Sequence, residues 1–401
     1  MSVCYLDANA TTFMPELVIK TMVKWINKGN PSSHYNSALE CKELINVFIN
    51  LIKKDYDLTN HTIIFTSGAS ESNSHILTST VRSFAVKTGH LPHIIISSLE
   101  HKSILQCCED LRNDGLCQYT KLDPGSDYGT IDPIMLENAI KPNTCLISIM
   151  AANNETGIIN DIPLLTSIAH KHKIPFHTDC VQHFGKYGLY NGADAYSISF
   201  HKLYGPPGIG CLIIRNNFIN GYGLKAMISG NQNYNLRGGT ENIPAIGAAY
   251  AAYKYNFLKR DEKNKYLLML KNKLKQLLSQ YIECFNIEDF EKEKNEKNKI
   301  FFICNKDDDK VLYNTLLLSV YKDNFCNIKM KKELNNRNII VSIGSACNSN
   351  NNNVSPIIKA LGVPKVLYSG VIRISLLDDN TIEDVTYFVN NFINILNTLF
   401  N

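Results

Sequence analysis

The run SISFHKLYGPPG over 197–208 sets Lys202 between the end of an apolar, β-type segment and a Gly/Pro turn. A lysine held there with a lowered pKa can form an imine with an aldehyde. Alone, a lysine beside a loop reads as a surface residue. Four other polar clusters share its placement after a strand-like run. FTSGASES over 65–72 puts Gly68, Ala69 and Ser70 where a strand turns into a helix, a corner whose free N–H groups and dipole favour an anion. HTDCVQ over 177–182 places Asp179 where a carboxylate could keep an aromatic ring nitrogen protonated, with Gln182 close behind. LEHK over 99–102 offers His101 as a proton carrier above such a ring. MAANNETG over 150–157 offers Asn154 and its neighbours as hydrogen-bonding groups. Each has an ordinary reading too: helix caps for Ser67, Ser70, Asp179 and His101, and a turn for 153–157.

One thiol stands apart. Of twelve cysteines, Cys347 alone lies in a run of small and polar residues, SIGSACNSN over 342–350. Such a run predicts a solvated loop. A thiol there can attack a bound substrate and then carry what it captured outward. The others read as packed, reduced thiols, with Cys41, Cys145, Cys211 and Cys304 in apolar surroundings. No C-x-x-C pair occurs, and no metal site is expected.

These groups need a scaffold. Short apolar runs at 62–66, 93–98, 145–151, 175–179, 195–199 and 210–214 alternate with helical patterns at 70–87, 102–114, 132–140 and 162–172. That alternation predicts an α/β fold with a mostly parallel central sheet covered by helices. Ligands of such sheets bind at the carboxyl ends of strands, so five polar clusters can meet in one place. A long helical stretch follows over 244–282, then a charged segment over 288–299 that reads as an exposed connection. Strands at 300–304, 339–342 and 371–375 and a closing helix over 381–401 predict a smaller α+β domain. The expected division is 15–258 for the large domain, with 1–14 and 259–401 forming the small one. Net charge is +4 and charged residues make up 19%, which argues against a dedicated nucleic-acid binder. The first residues carry no leader pattern and no apolar run reaches membrane-spanning length, so the cytoplasm is the expected compartment and no membrane partner is expected.

The motifs together are more specific than any one alone. YLDANATT at 5–12, GNPSS at 29–33, FTSGASES at 65–72, EHKSIL at 100–105, NNETG at 153–157, HTDCVQ at 177–182, HKLYGPPGIG at 201–210, LRGGTEN at 236–242, GSACNS at 344–349 and RIS at 373–375 appear in order along nearly the whole chain. In order and spacing the sequence resembles the NifS/IscS type of cysteine desulfurase, within the class V aminotransferases of PLP-dependent fold type I. The resemblance implies pyridoxal 5′-phosphate (PLP) as cofactor, carried as a Schiff base on Lys202. It implies His101 against the ring, Asp179 at the ring nitrogen, Asn154 and Gln182 at ring substituents, and Ala69, Ser70, Ser199 and His201 at the phosphate. Thr240 would reach the phosphate of a neighbouring subunit, which implies a homodimer. Arg373 would hold the carboxylate of L-cysteine, a task suited to a planar guanidinium. Cys347 would take the sulfur as a persulfide and pass it to an acceptor protein serving iron–sulfur cluster assembly or tRNA thiolation. A selenocysteine lyase, another enzyme of this fold and a decayed partner-binding homologue are the competing readings. Cys347 argues against a plain aminotransferase, and the retained Lys202, Asp179, His101, Cys347 and Arg373 argue against decay. Phe200, the Asn233–Tyr234 pair and Leu377 depart from the family pattern.

Overall fold

The computed structural model describes residues 3–125, 129–304, 310–343 and 355–400. A seven-stranded sheet occupies the first half. Its strands are β1 (His61–Thr66), β2 (His93–Ser97), β3 (Gln118–Leu122), β4 (Thr144–Ser148), β5 (Phe176–Asp179), β6 (Ala195–Ser199) and β7 (Gly210–Arg215). The order across the sheet is β1-β7-β6-β5-β4-β2-β3. β7 runs antiparallel to both neighbours, and every other pairing is parallel. The two-residue period of a strand explains how one run feeds two cores. Ile95 and Ile147 pack in the core containing Phe48, Phe176 and Tyr253. Their neighbours Ile94, Ile96 and Leu146 pack on the opposite side with Ile76, Leu77 and Ile104. Both faces are therefore apolar, as a helix-covered parallel sheet requires.

A second sheet has five strands: β8 (Glu283–Asn286), β9 (Lys299–Ile303), β10 (Thr315–Tyr321), β11 (Ser342–Ile343) and β12 (Val371–Ser375). Its order is β11-β12-β10-β9-β8, with only β8 and β9 parallel. One face packs on helices Arg260–Ser279 and Ile382–Leu399. The other buries Phe301, Leu317 and Val371 together with Leu99 and Ile158 from the first half. The closing helix starts in a capping box between Thr381 and Asp384. The N-terminal segment ties the halves together: Cys4–Tyr5 pairs in parallel with Ile339–Ile340, and Thr12 donates to the His201 carbonyl at 3.0 Å.

Several expectations need correction. The helix expected over 244–282 is two helices, Ile243–Phe257 and Arg260–Ser279, broken at Leu258 and Lys259. The charged segment over 288–299 is not simply an exposed connection. Phe290 packs in the core and Lys299 begins β9, 5% exposed, with Glu293 on its amine at 2.7 Å. Composition hid this because long charged side chains can bury their stems and pair their heads. The strand expected over 339–342 is divided between two sheets. β3, β8 and β10 went unread. β3 and β8 are sheet-edge strands with polar residues among their apolar ones, which weakens a periodic signal. No helix among the described residues is long and apolar enough to cross a membrane.

Candidate functional site

The carboxyl ends of β1, β2, β4, β5 and β6 open onto one cavity of about 500 Å³, closed on the far side by Arg373 of β12. Ala69, Ser70, His101, Asn154, Asp179, Gln182, Ser199, His201 and Lys202 all line it.

One end is an anion corner. Helix Ala69–Thr88 begins there, after Gly68 at φ 155°. Glycine is required opposite it as well, since a Cβ on Gly210 would sit 2.4 Å from the Ile198 carbonyl and 2.7 Å from Gly68 Cα. Glu71, the acidic residue of that first turn, is held by Arg237 at 3.0 Å and by the Ser67 N–H at 2.7 Å. Burial alone would raise its pKa, yet these two partners bring it below the usual carboxylate range. Glu71 thus takes the Ser67 N–H and is itself neutralised by Arg237, which leaves the N–H groups of the first helical residues for an anion.

Lys202 sits in the turn Phe200–Lys202 that follows β6. Its Nζ donates to the Asn9 carbonyl at 2.8 Å and to the Ala10 carbonyl. Burial, then the Arg373 charge, brings the amine down to about 8, against the opposing pull of Asp7 and Asp179. His201 is lowered to about 4 by burial and by Lys202, and is neutral near pH 7. Asp179 is 5% exposed. Burial raises its pKa, while hydrogen bonds from Asn73 and the Val181 N–H, and the His101 and Lys202 charges, oppose the rise.

A hydrogen-bonded line links Asp179 to His101. Asn73 Nδ2 donates to Asp179 Oδ2 at 2.8 Å and to Ser103 Oγ at 2.9 Å. Ser103 Oγ lies 2.9 Å from His101 Nδ1, which also accepts the Ser103 N–H at 3.2 Å. Because Nδ1 accepts, the neutral ring carries its proton on Nε2. The imidazole caps helix Lys102–Asn113 and lines the cavity at once.

Arg373 closes the opposite side. Its Nη1 donates to the Asn154 carbonyl at 2.8 Å and its Nη2 to Asp7 Oδ1 at 2.5 Å. Nε is buried without a hydrogen-bond partner. Thr240 is exposed and does not line this cavity. Cys347 lies outside the described residues.

Sequence reasoning missed Asn73 and Lys186, and it gave no role to Asn9, Glu100 and Ser103 although they lie in motifs already read. Asn9 is 2% exposed and joins three segments, through Ser375 Oγ at 3.0 Å, Thr315 Oγ1 at 2.8 Å and the Asn154 carbonyl at 3.2 Å. Asn73 could have been found: it is polar, and it falls one helical turn beyond Ala69 and Ser70 on a helix that otherwise faces apolar strands.

A family model for class-V aminotransferases matches residues 4–388. The chain belongs to the class-V aminotransferase family. A cysteine desulfurase IscS from Methanosarcina thermophila is 34% identical over 388 residues, covering 95% of this chain and 89% of that one. A solved NifS-like protein superposes with a TM-score of 0.84 at 29% identity, covering 99% of this chain and 100% of the other. SspA, solved in complex with cysteine, superposes with a TM-score of 0.72 at 30% identity, covering 93% and 98%. Enzymes of this family are PLP-dependent and of fold type I. The cavity fits that cofactor: an anion corner, a carboxylate at its floor, a lysine amine and an imidazole all face one space.

Proposed function

We propose that this chain is a PLP-dependent cysteine desulfurase that converts L-cysteine to L-alanine and keeps the sulfur on Cys347. The observation that carries the reading is the meeting of Lys202, Asp179, His101 and Arg373 on one cavity with a helix N-terminus at its corner. Ala69, Ser70, Ser199 and His201 would hold the phosphate, Asp179 the ring nitrogen, and Asn154 and Gln182 the ring substituents. Bound there, PLP supplies an aldehyde to the lysine and a ring that takes up the electron pair released at Cα.

The residues then divide the work. Arg373, which lines the cavity, orients L-cysteine through its carboxylate. Lys202, with its amine near 8, takes the Cα proton. His101, protonated at Nε2, gives and takes protons over the substrate, and Asn73 with Ser103 keeps its ring turned for that task. The Cys347 thiolate attacks the substrate sulfur. The substrate Cβ–S bond breaks, a new S–S bond forms, and the carbon fragment gains the hydrogen needed to leave as alanine. Substrate and enzyme thiol thus become alanine and enzyme persulfide, with no outside oxidant.

The Thr240 assignment implies a second copy beside the cavity. Phe13, Leu17, Val23 and Tyr35, in or flanking helix Glu16–Trp25, are all more than half exposed, apolar surface that a homodimer would cover. We place the domain boundary at the break between Phe257 and Arg260, and the protein in the cytoplasm. Alanine and sulfide release from L-cysteine, with a thiol acceptor present, tests the function. The parent should turn over, and Cys347→Ala should lose at least about a hundredfold. Equal alanine formation by both would remove Cys347 from the reaction.

A further inference from the structure

A second amine lies against the same site. Lys186 follows the β5 end by seven residues and donates from Nζ to Gln182 Oε1 at 3.0 Å. Among the described residues it forms no ion pair, and Lys202 lines the same small internal gap behind the site. A half-buried amine with no anion is costly to keep charged, so its hydrogen bond to Gln182 is its principal anchor.

Its effect falls on Gln182, which is 2% exposed. Gln182 Nε2 donates to the Asn9 carbonyl at 3.1 Å. A carbonyl can only accept, and Lys186 Nζ donates to the Gln182 oxygen in either protonation state. The amide is therefore held from both ends, with its oxygen toward Lys186 and its NH₂ toward Asn9. The NH₂ has two hydrogens, the carbonyl takes one, and Gln182 also lines the cavity. We propose that Lys186 is a positioning residue that locks the Gln182 amide so that its second N–H meets an acceptor oxygen on the bound PLP ring. The inference rests on the PLP reading above.

The surroundings agree with that role. Burial first, then the charges of Lys202 and Arg373, bring Lys186 down to about 7. Its other charged and titratable neighbours are His183, Tyr187, Tyr204, Arg260, Lys263, Tyr313 and Asp378, of which Asp378 is already paired with Lys263 at 2.6 Å. Gln182 is thus the direct hydrogen-bond partner of the amine. Without Lys186, Gln182 Oε1 would be buried and unsatisfied, and the amide could turn to present a lone pair to the ring oxygen instead of a hydrogen.

The test uses the PLP-loaded full chain, titrated through its visible absorption from neutral to alkaline pH. Donation to the ring oxygen stabilises its ionised form, so Lys186→Met should raise the apparent pKa of that transition by about one unit. PLP affinity should fall about tenfold. Lys186→Arg, which still donates, should stay near the parent. In a Gln182→Ala background, Lys186→Met should add nothing, because the effect passes through the amide. Gln182→Glu gives a second route should Lys186→Met not fold: it removes the N–H and should raise the same pKa. The proposal is overturned by an unchanged pKa in Lys186→Met or Gln182→Glu, or by a shift of equal size with and without Gln182. A parent chain with no visible PLP band sinks the PLP reading itself and this inference with it.

Discussion

The two walls of the cavity are built differently. The wall from the seven-stranded sheet holds its principal charged groups in place before anything binds, although Asn73 Oδ1 and Glu100 Oε2 are buried without hydrogen-bond partners. Asp179 accepts from Asn73 and Val181, Glu71 is paired with Arg237, and Lys202 rests on two carbonyls. The wall from the five-stranded sheet presents Arg373, which keeps a buried Nε with no partner. The first wall suits a resident cofactor, whose groups are met by fixed dipoles. The second is where the proposed carboxylate of L-cysteine would dock. The N-terminal segment bridges both, through Asn9 and the Asp7–Arg373 pair.

Three measurements press on this contrast. Lys202→Ala carries the largest expected effect: alanine formation from L-cysteine should drop by about 10³-fold or more. Full turnover in that variant would mean that the sheet wall does not hold the reacting group. Arg373→Leu should come next, with KM for L-cysteine raised about 10–100-fold while PLP absorption persists. Loss of PLP together with substrate binding would erase the distinction between the walls.

The smallest effect concerns a liability under the seven-stranded wall. Glu100 is 1% exposed, accepts from the Met150 N–H at 2.8 Å, and has one oxygen without a partner. Burial raises its pKa to about 8 from an ordinary 4.5, helped by the Asp179 charge and opposed by the Met150 N–H. A raised pKa means that the unfolded chain sheds this proton first. Its contribution is full below pH 4.5 and is lost as pH rises through about 8. Urea unfolding at acid and at mildly alkaline pH should show Glu100→Gln gaining about 1–3 kcal/mol over the parent at the alkaline end only. A gain of the same size at both would remove Glu100 as its source.

The departures from the family pattern have places in the fold. Phe200 is fully buried and packs on Phe48, with ring centroids 5.5 Å apart, on the side of the sheet away from the cavity. Asn233, Tyr234 and Asn235 all take positive φ, at 46°, 59° and 61°. Asn233 secures that turn by donating to the Arg237 carbonyl at 3.1 Å. Leu377 joins a small apolar cluster with Tyr5 and Ala8. None of the four is among the residues lining the cavity.

Much of the scaffold was legible because it rests on local periodicity. Apolar runs bounded by polar clusters marked six strands of the central sheet, and the polar residues after them marked the cavity. Motif order carried the family and the principal groups, from Lys202 to Arg373. The partnerships were not legible, because a hydrogen bond between Asn73 and Asp179, or between Lys186 and Gln182, depends on the direction of a side chain after packing. The sequence by itself determined which chemical groups this chain possesses and the strands that deliver them. Tertiary structure alone decided which of those groups are already satisfied and which, like the Nε of Arg373, still lack a partner, since that depends on contacts between segments hundreds of residues apart.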